Sequence, residues 1–300
     1  MLARRPRLSF ILIGAGSAVV GLLPWLITGL RLPLQNLWGA DTLPARMPLV
    51  LLPFSQYEVT VIVALLLVGS AIAGVVARAT RARHPRSALP LAIGVVIVQV
   101  IAVVQTAVTV GLGLRHETAA ALYLVSLVVG TAVTMLVGIG VFALIARAPR
   151  AGAMVGLSIA GIALGTWLSA LLHPIGVVIV PQPLQELLVQ LYWAPAIFVG
   201  AAIAWAGVGS IGRAIAAVVG IVLLWMSSAL VTAIVMAVGS RILAAHPLDM
   251  LEYGGQVFRS ALVAEGAAPW VAAVGVVAAA VGLVVRWVIV RRAGRGATAQ

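Results

Sequence analysis

The inventory for acid–base, nucleophilic or metal chemistry is short: four histidines, seven carboxylates and no cysteine in 300 residues. Without cysteine there is no disulfide, thiolate metal site or thiol nucleophile. His116, His173 and His246 fall in loops that also hold carboxylates, the kind of set that can ligate zinc or copper. No two of these histidines stand three or four residues apart, and only His116 and Glu117 are directly adjacent ligand types. His173 and His246 each precede proline, as turn residues often do. The sequence holds no His-Glu-x-x-His helix, Gly-x-Ser-x-Gly elbow or Walker loop. These observations predict a non-enzyme with no metal and no cofactor.

What remains is polar chemistry inside apolar segments. Gln99, Gln105, Thr106 and Thr109 make one apolar stretch the most polar of the set, and Thr131 and Thr134 lie in the next. Glu58 and Glu117 stand at the ends of such stretches. Ionisable groups are costly in hydrocarbon and sit at its edges or in functional cavities. Glu58, Gln99, Gln105, Glu117, Thr131 and Thr134 are therefore the candidates for a substrate path, with the two glutamates at its mouth. Hydrogen bonds between packed helices would leave the same pattern in the sequence.

The elements that must position these residues follow from composition. Hydrophobic residues make up 63% of the chain and charged residues 9%, against about 25% charged in an ordinary soluble domain. Several apolar stretches exceed the roughly 20 residues that cross a hydrocarbon core of about 30 Å. The expected fold is an all-α membrane protein, a polytopic bundle of about eight transmembrane helices with short interfacial helices in the outer loops. The spans are expected near 8–30, 57–77, 88–114, 118–146, 152–172, 192–209, 214–240 and 268–290, one transmembrane domain over 1–290 with a cytoplasmic tail at 291–300. The opening Arg4, Arg5 and Arg7 before a long apolar run reads as a retained signal anchor.

Net charge is +12, and all 19 basic residues are arginine. In a soluble protein this would suggest nucleic acid, but no stacking aromatics interleave with the basic clusters. Assigning loops alternately to two sides places fourteen arginines on one side and five on the other, with all seven acids on the arginine-poor side. The positive-inside rule then puts both termini in the cytoplasm and anionic lipid headgroups beside the arginines. The absence of lysine, with heavy use of Ala, Val, Gly and Arg, suggests a GC-rich bacterium and its plasma membrane.

Small-residue stripes at Gly161, Gly165 and Ser169, and at Gly130, Thr134 and Gly138, predict close helix packing. Three outer loops are long. In 182–193 a leucine stripe at Leu184, Leu187, Leu188 and Leu191 opposes Gln182, Gln185, Glu186 and Gln190, which predicts an amphipathic interfacial helix begun by Pro183. Val257, Phe258, Ala261 and Leu262 form a weaker helical pattern. The run Leu49 to Phe54 is too short to span; re-entrant and interfacial placements are both open, with the interface favoured because no Gly-rich filter accompanies the run. The functional expectation is a permease-like transport component for a small solute or lipid, without its own ATPase and possessing a possible partner subunit. The alternative is a non-catalytic envelope scaffold, assembly factor or regulatory subunit.

Overall fold

The computed structural model describes residues 5–172, 181–239, 247–263 and 268–297. Those residues are helical, apart from loops and two isolated bridge pairs. Among the described residues, seven helical stretches are long and apolar enough to cross a membrane: Gln56–Thr80, Ala88–Gly113, Thr118–Arg147, Arg150–Leu172, Gln182–Ala206, Ile211–Gly239 and Ala268–Arg291.

The chain divides into two compact units, Met1–Arg147 with Ala163–Leu191, and Ala148–Ile162 with Tyr192–Gln300. The first unit holds α1 (Arg5–Gly21), α2 (Leu23–Ile27), α3 (Val59–Thr80), α4 (Ala88–Gly113) and α5 (Thr118–Arg147). The division falls within α6 (Arg150–Leu172), whose second half belongs with α7 (Gln182–Leu191) to the first unit. The second unit adds α8 (Ala194–Ala206), α9 (Ile211–Gly239), α10 (Pro247–Leu262) and α11 (Ala268–Ala297).

In the first unit α3 is the central helix. It is buried over 61% of its most apolar window, against 33% for α4 and for α5, because α1, α4 and α5 all pack on it. Apolar burial discriminates little between lipid and protein, so close backbone approach decides which faces meet. A Cβ on Gly14 would overlap the Leu91 carbonyl, and one on Gly94 would overlap the Ile11 carbonyl. Only glycine lets α1 and α4 cross so closely. The α5 face that meets α3 runs through Thr131, Thr134, Gly138, Val141 and Ile145, all buried. Gly130, expected in that stripe, is exposed with open space beside it. Helical geometry places it beyond the buried face, which passes through Leu127 and Thr131.

The first expected span is divided. Helix α1 ends at Gly21 after 17 residues, and α2 restarts with Pro24 in its first turn, where a missing N–H costs no helical hydrogen bond. The chain then leaves the helix through Gly29 and Leu30, both with positive φ.

In the second unit Ala196, Val199, Ile203 and Ala206 of α8 pack with Leu224 of α9, Val271 and Ala279 of α11, and Met154 of α6. Gly161 meets the Phe198 side chain, as its stripe predicts, whereas Ser169 is exposed. The expected span 192–209 is only 13 residues long as α8, but α7 leads into it across Tyr192 and Trp193. The pattern around Val257 becomes a 16-residue helix, α10, packed along the distal part of α9, where Gly254 faces Ala237. Helix α11 runs to Ala297 and so takes in most of the expected tail.

Candidate functional site

The most elaborate polar construction among the described residues is where residues 30–58 fold against α2 and the ends of α3, α4 and α5. Four prolines, Pro33, Pro44, Pro48 and Pro53, restrict this loop. Leu32 N donates to Pro48 O at 2.9 Å and Val50 N to Leu30 O at 2.8 Å, so the loop pairs with itself. Arg31 Nη1 donates to Met47 O at 2.8 Å, and the indole Nε1 of Trp25 donates to Val50 O at 2.8 Å.

Helix α4 completes the anchoring. Gln105 acts as a surrogate peptide group: its Nε2 donates to Leu49 O at 3.0 Å and its Oε1 accepts Leu51 N at 2.9 Å. Thr106 Oγ1 accepts Leu52 N at 3.0 Å. Nearer the end of α4, Gly39 N donates to Gly113 O at 2.8 Å and Arg115 N to Leu37 O at 2.9 Å, with the Trp38 ring lying on Gly113. From Gly113 to Gln105 the loop descends along α4 by roughly 12 Å at 1.5 Å per residue.

The run Leu49 to Phe54 therefore packs along the side of α4, short of its end. Leu52 and Phe54 are 0% exposed. Irregular backbone is tolerated there because protein surrounds it and α4 satisfies its amides. Tyr123 of α5 holds the neighbouring turn, donating to Gln35 Oε1 at 2.7 Å while Gln35 Nε2 donates to Pro33 O and Phe54 O. Asn36 Nδ2 donates to the Tyr57 hydroxyl at 3.2 Å. Between these residues lies an open notch of about 30 Å³ lined by Gln35, Asn36, Ser55, Gln56, Tyr57 and Tyr123, among others, space for about two waters.

The candidate path residues play separate parts. Gln105 holds the loop. Gln99, 2% exposed, crosses to α3, where its Nε2 donates to Leu66 O at 3.0 Å and Ser70 Oγ at 3.2 Å, leaving its Oε1 buried without a partner. Thr131 and Thr134 are buried but donate within α5, to Leu127 O at 2.7 Å and Gly130 O at 2.9 Å. Glu58 is half-buried at the start of α3, its N–H on Ser55 O, beside the notch residue Tyr57. Glu117 is exposed in the turn before α5, its carbonyl accepting Ala121 N.

Trp25, Arg31, Gln35 and Tyr123 were not marked by sequence reasoning. The indole N–H of Trp25 beside a proline-dense loop was the legible signal, because it must find an acceptor when buried. His116 is exposed, and His173 and His246 lie outside the described residues. No protein-family model, no curated protein and no solved structure matches the chain.

Proposed function

We propose that this is a non-catalytic multi-pass protein of a bacterial plasma membrane that works as a scaffold, assembly factor or regulatory subunit, docking partners on the folded 30–58 loop. The observation that carries this reading is the pairing of Gln105 and Thr106 with the backbone of Leu49, Leu51 and Leu52. It makes the polar side chains of α4 into fasteners for a rigid platform. The platform presents exposed Leu34, Leu43 and Leu49, apolar contacts on an ordered surface that loses little entropy on binding. In this reading α1 and α2 together form an eighth crossing, since Arg5–Ile27 is about 34 Å of helix at 1.5 Å per residue. Both termini then lie with the arginines in the cytoplasm.

A photo-cross-linking residue at Leu43 in intact cells tests the proposal. A discrete adduct with one envelope protein, absent with the probe at lipid-facing Leu136, is the expected result. Adducts with lipid alone would remove the platform reading.

A transport component remains the second reading, favoured by the polar notch beside Glu58 and the unpartnered Gln99 Oε1. It is supported if purified protein moves a small solute or lipid across vesicles and folded Gln105→Leu and Glu117→Ala variants do not.

A further inference from the structure

At the arginine-rich end of the second unit two guanidiniums converge on one helix terminus. Arg213 donates through Nη1 to Ala206 O at 3.0 Å and through Nε to Ser210 Oγ at 3.1 Å. Arg286 reaches across from α11 and donates through Nη1 to Ala204 O at 2.9 Å and Trp205 O at 2.8 Å. The turn between α8 and α9 wraps both groups. Gly207 has φ +73, and a Cβ there would lie 2.7 Å from Arg286 Nη1; a Cβ on Gly209 would lie 3.2 Å from Arg213 Nη2. A side chain at Gly207 would displace Arg286, so the turn is shaped around these cations.

Electrostatically the arrangement is incomplete. The carboxyl end of a helix carries about half a negative charge, against two positive charges. Among the described residues, no carboxylate is a hydrogen-bond or ion-pair partner of Arg213 or Arg286. Each guanidinium has five N–H donors, and neither Nη2 donates to any of the described residues. Both side chains are half-buried, so bulk water only partly screens their repulsion.

From this geometry we infer that Arg213 and Arg286 form a binding site for the phosphate of an anionic phospholipid headgroup, received by the free Nη2 edges of the two guanidiniums. A phosphate suits paired guanidiniums because its oxygens accept several charge-assisted bonds at once. The lipid source is favoured over a soluble anion by the flanking indoles. Trp205 supplies one of the carbonyls and is 45% exposed; Trp287 follows Arg286, is 53% exposed and carries Arg291 3.6 Å over its ring. Exposed tryptophans at the end of apolar helices mark the headgroup level of a bilayer.

The test uses the purified full chain in neutral detergent, titrated with phosphatidylglycerol, phosphatidylcholine or inorganic phosphate and read by native mass spectrometry. Phosphatidylglycerol should be retained over phosphatidylcholine by about tenfold, the scale of one charge-assisted contact. Arg213→Gln with Arg286→Gln should abolish the preference, while Arg147→Gln with Arg150→Gln, which removes the same charge from exposed positions, should leave it intact. Because both arginines also cap α8, Arg213→Gln alone, which keeps the two Arg286 bonds, is the second variant; with helix content unchanged it should still lower retention about fivefold. Equal loss in the Arg147/Arg150 pair, unchanged retention in folded Arg213→Gln, or displacement of the lipid by equimolar inorganic phosphate would each overturn the assignment.

Discussion

Gln105 shows how one side chain can decide the character of a helix end. Its amide pairs with a C=O and an N–H of the same extended segment, as a neighbouring strand would. Gln105→Leu keeps the volume and removes both bonds, leaving Leu49 O and Leu51 N without partners. The expected loss is about 1–3 kcal/mol, measured by unfolding in detergent. A cysteine at Leu52, inaccessible to maleimide in the parent, should become reactive in that background. The α1–α4 crossing gives a contrast of a different kind. Gly94→Ala should destabilise by about 1–3 kcal/mol through overpacking, whereas Gly16→Ala, with open space beside it, should leave thermal stability unchanged. Sequence alone ranked Gln105 as unusual by type and depth. It did not reveal the partner, because the acceptor and donor are backbone groups of a loop 54 and 56 residues away, and every residue carries those groups.

Among the elements, α7 follows its sequence pattern most closely. The leucine stripe and the opposing glutamines form a helix over Gln182–Leu191. None of its residues is fully buried, and Leu184, Leu188 and Leu191 are half-buried. An apolar stripe left partly uncovered by protein suits the bilayer interface. Leu187→Asp with Leu188→Asp should therefore lower stability in lipid nanodiscs by a few kcal/mol, while Gln185→Asp on the polar face should be neutral. Equal unfolding temperatures for both variants would remove the interfacial assignment. Helix α10 was harder to foresee. Its half-buried face, through Met250, Gly254, Val257 and Phe258, includes a glycine, which carries no hydrophobic signal although it is what admits α9.

Across the whole molecule, the arginine asymmetry becomes a set of contacts as well as a count. Arg78 Nη1 donates to Ile145 O at 2.8 Å near the end of α5, as Arg213 and Arg286 do at the end of α8. Cations at carboxyl termini satisfy orphan carbonyls and oppose the helix dipole, so residues that the positive-inside rule counts also finish helices of this chain. Orientation is testable because the chain has no native cysteine. Ser55 and Ser87 are buried and unsuitable for labelling, but Asn36, Ala82, Gln185 and Gln256 are exposed. Impermeant maleimide on intact cells should label cysteine at 36, 185 and 256 and spare 82. External labelling at Ala82→Cys would reverse the orientation.

Composition and periodicity alone determined that the chain is helical and apolar enough to be solvated by a bilayer. They also located most of the long helices, since apolar length and charge-free runs are properties of consecutive residues. Tertiary structure decided what the polar residues are for. Gln99 and Gln105 share a helix and a residue type, yet one crosses to α3 and the other seizes a loop. That difference depends on which backbone approaches which face, and close approach is set by glycines and by folded loops distant in the chain.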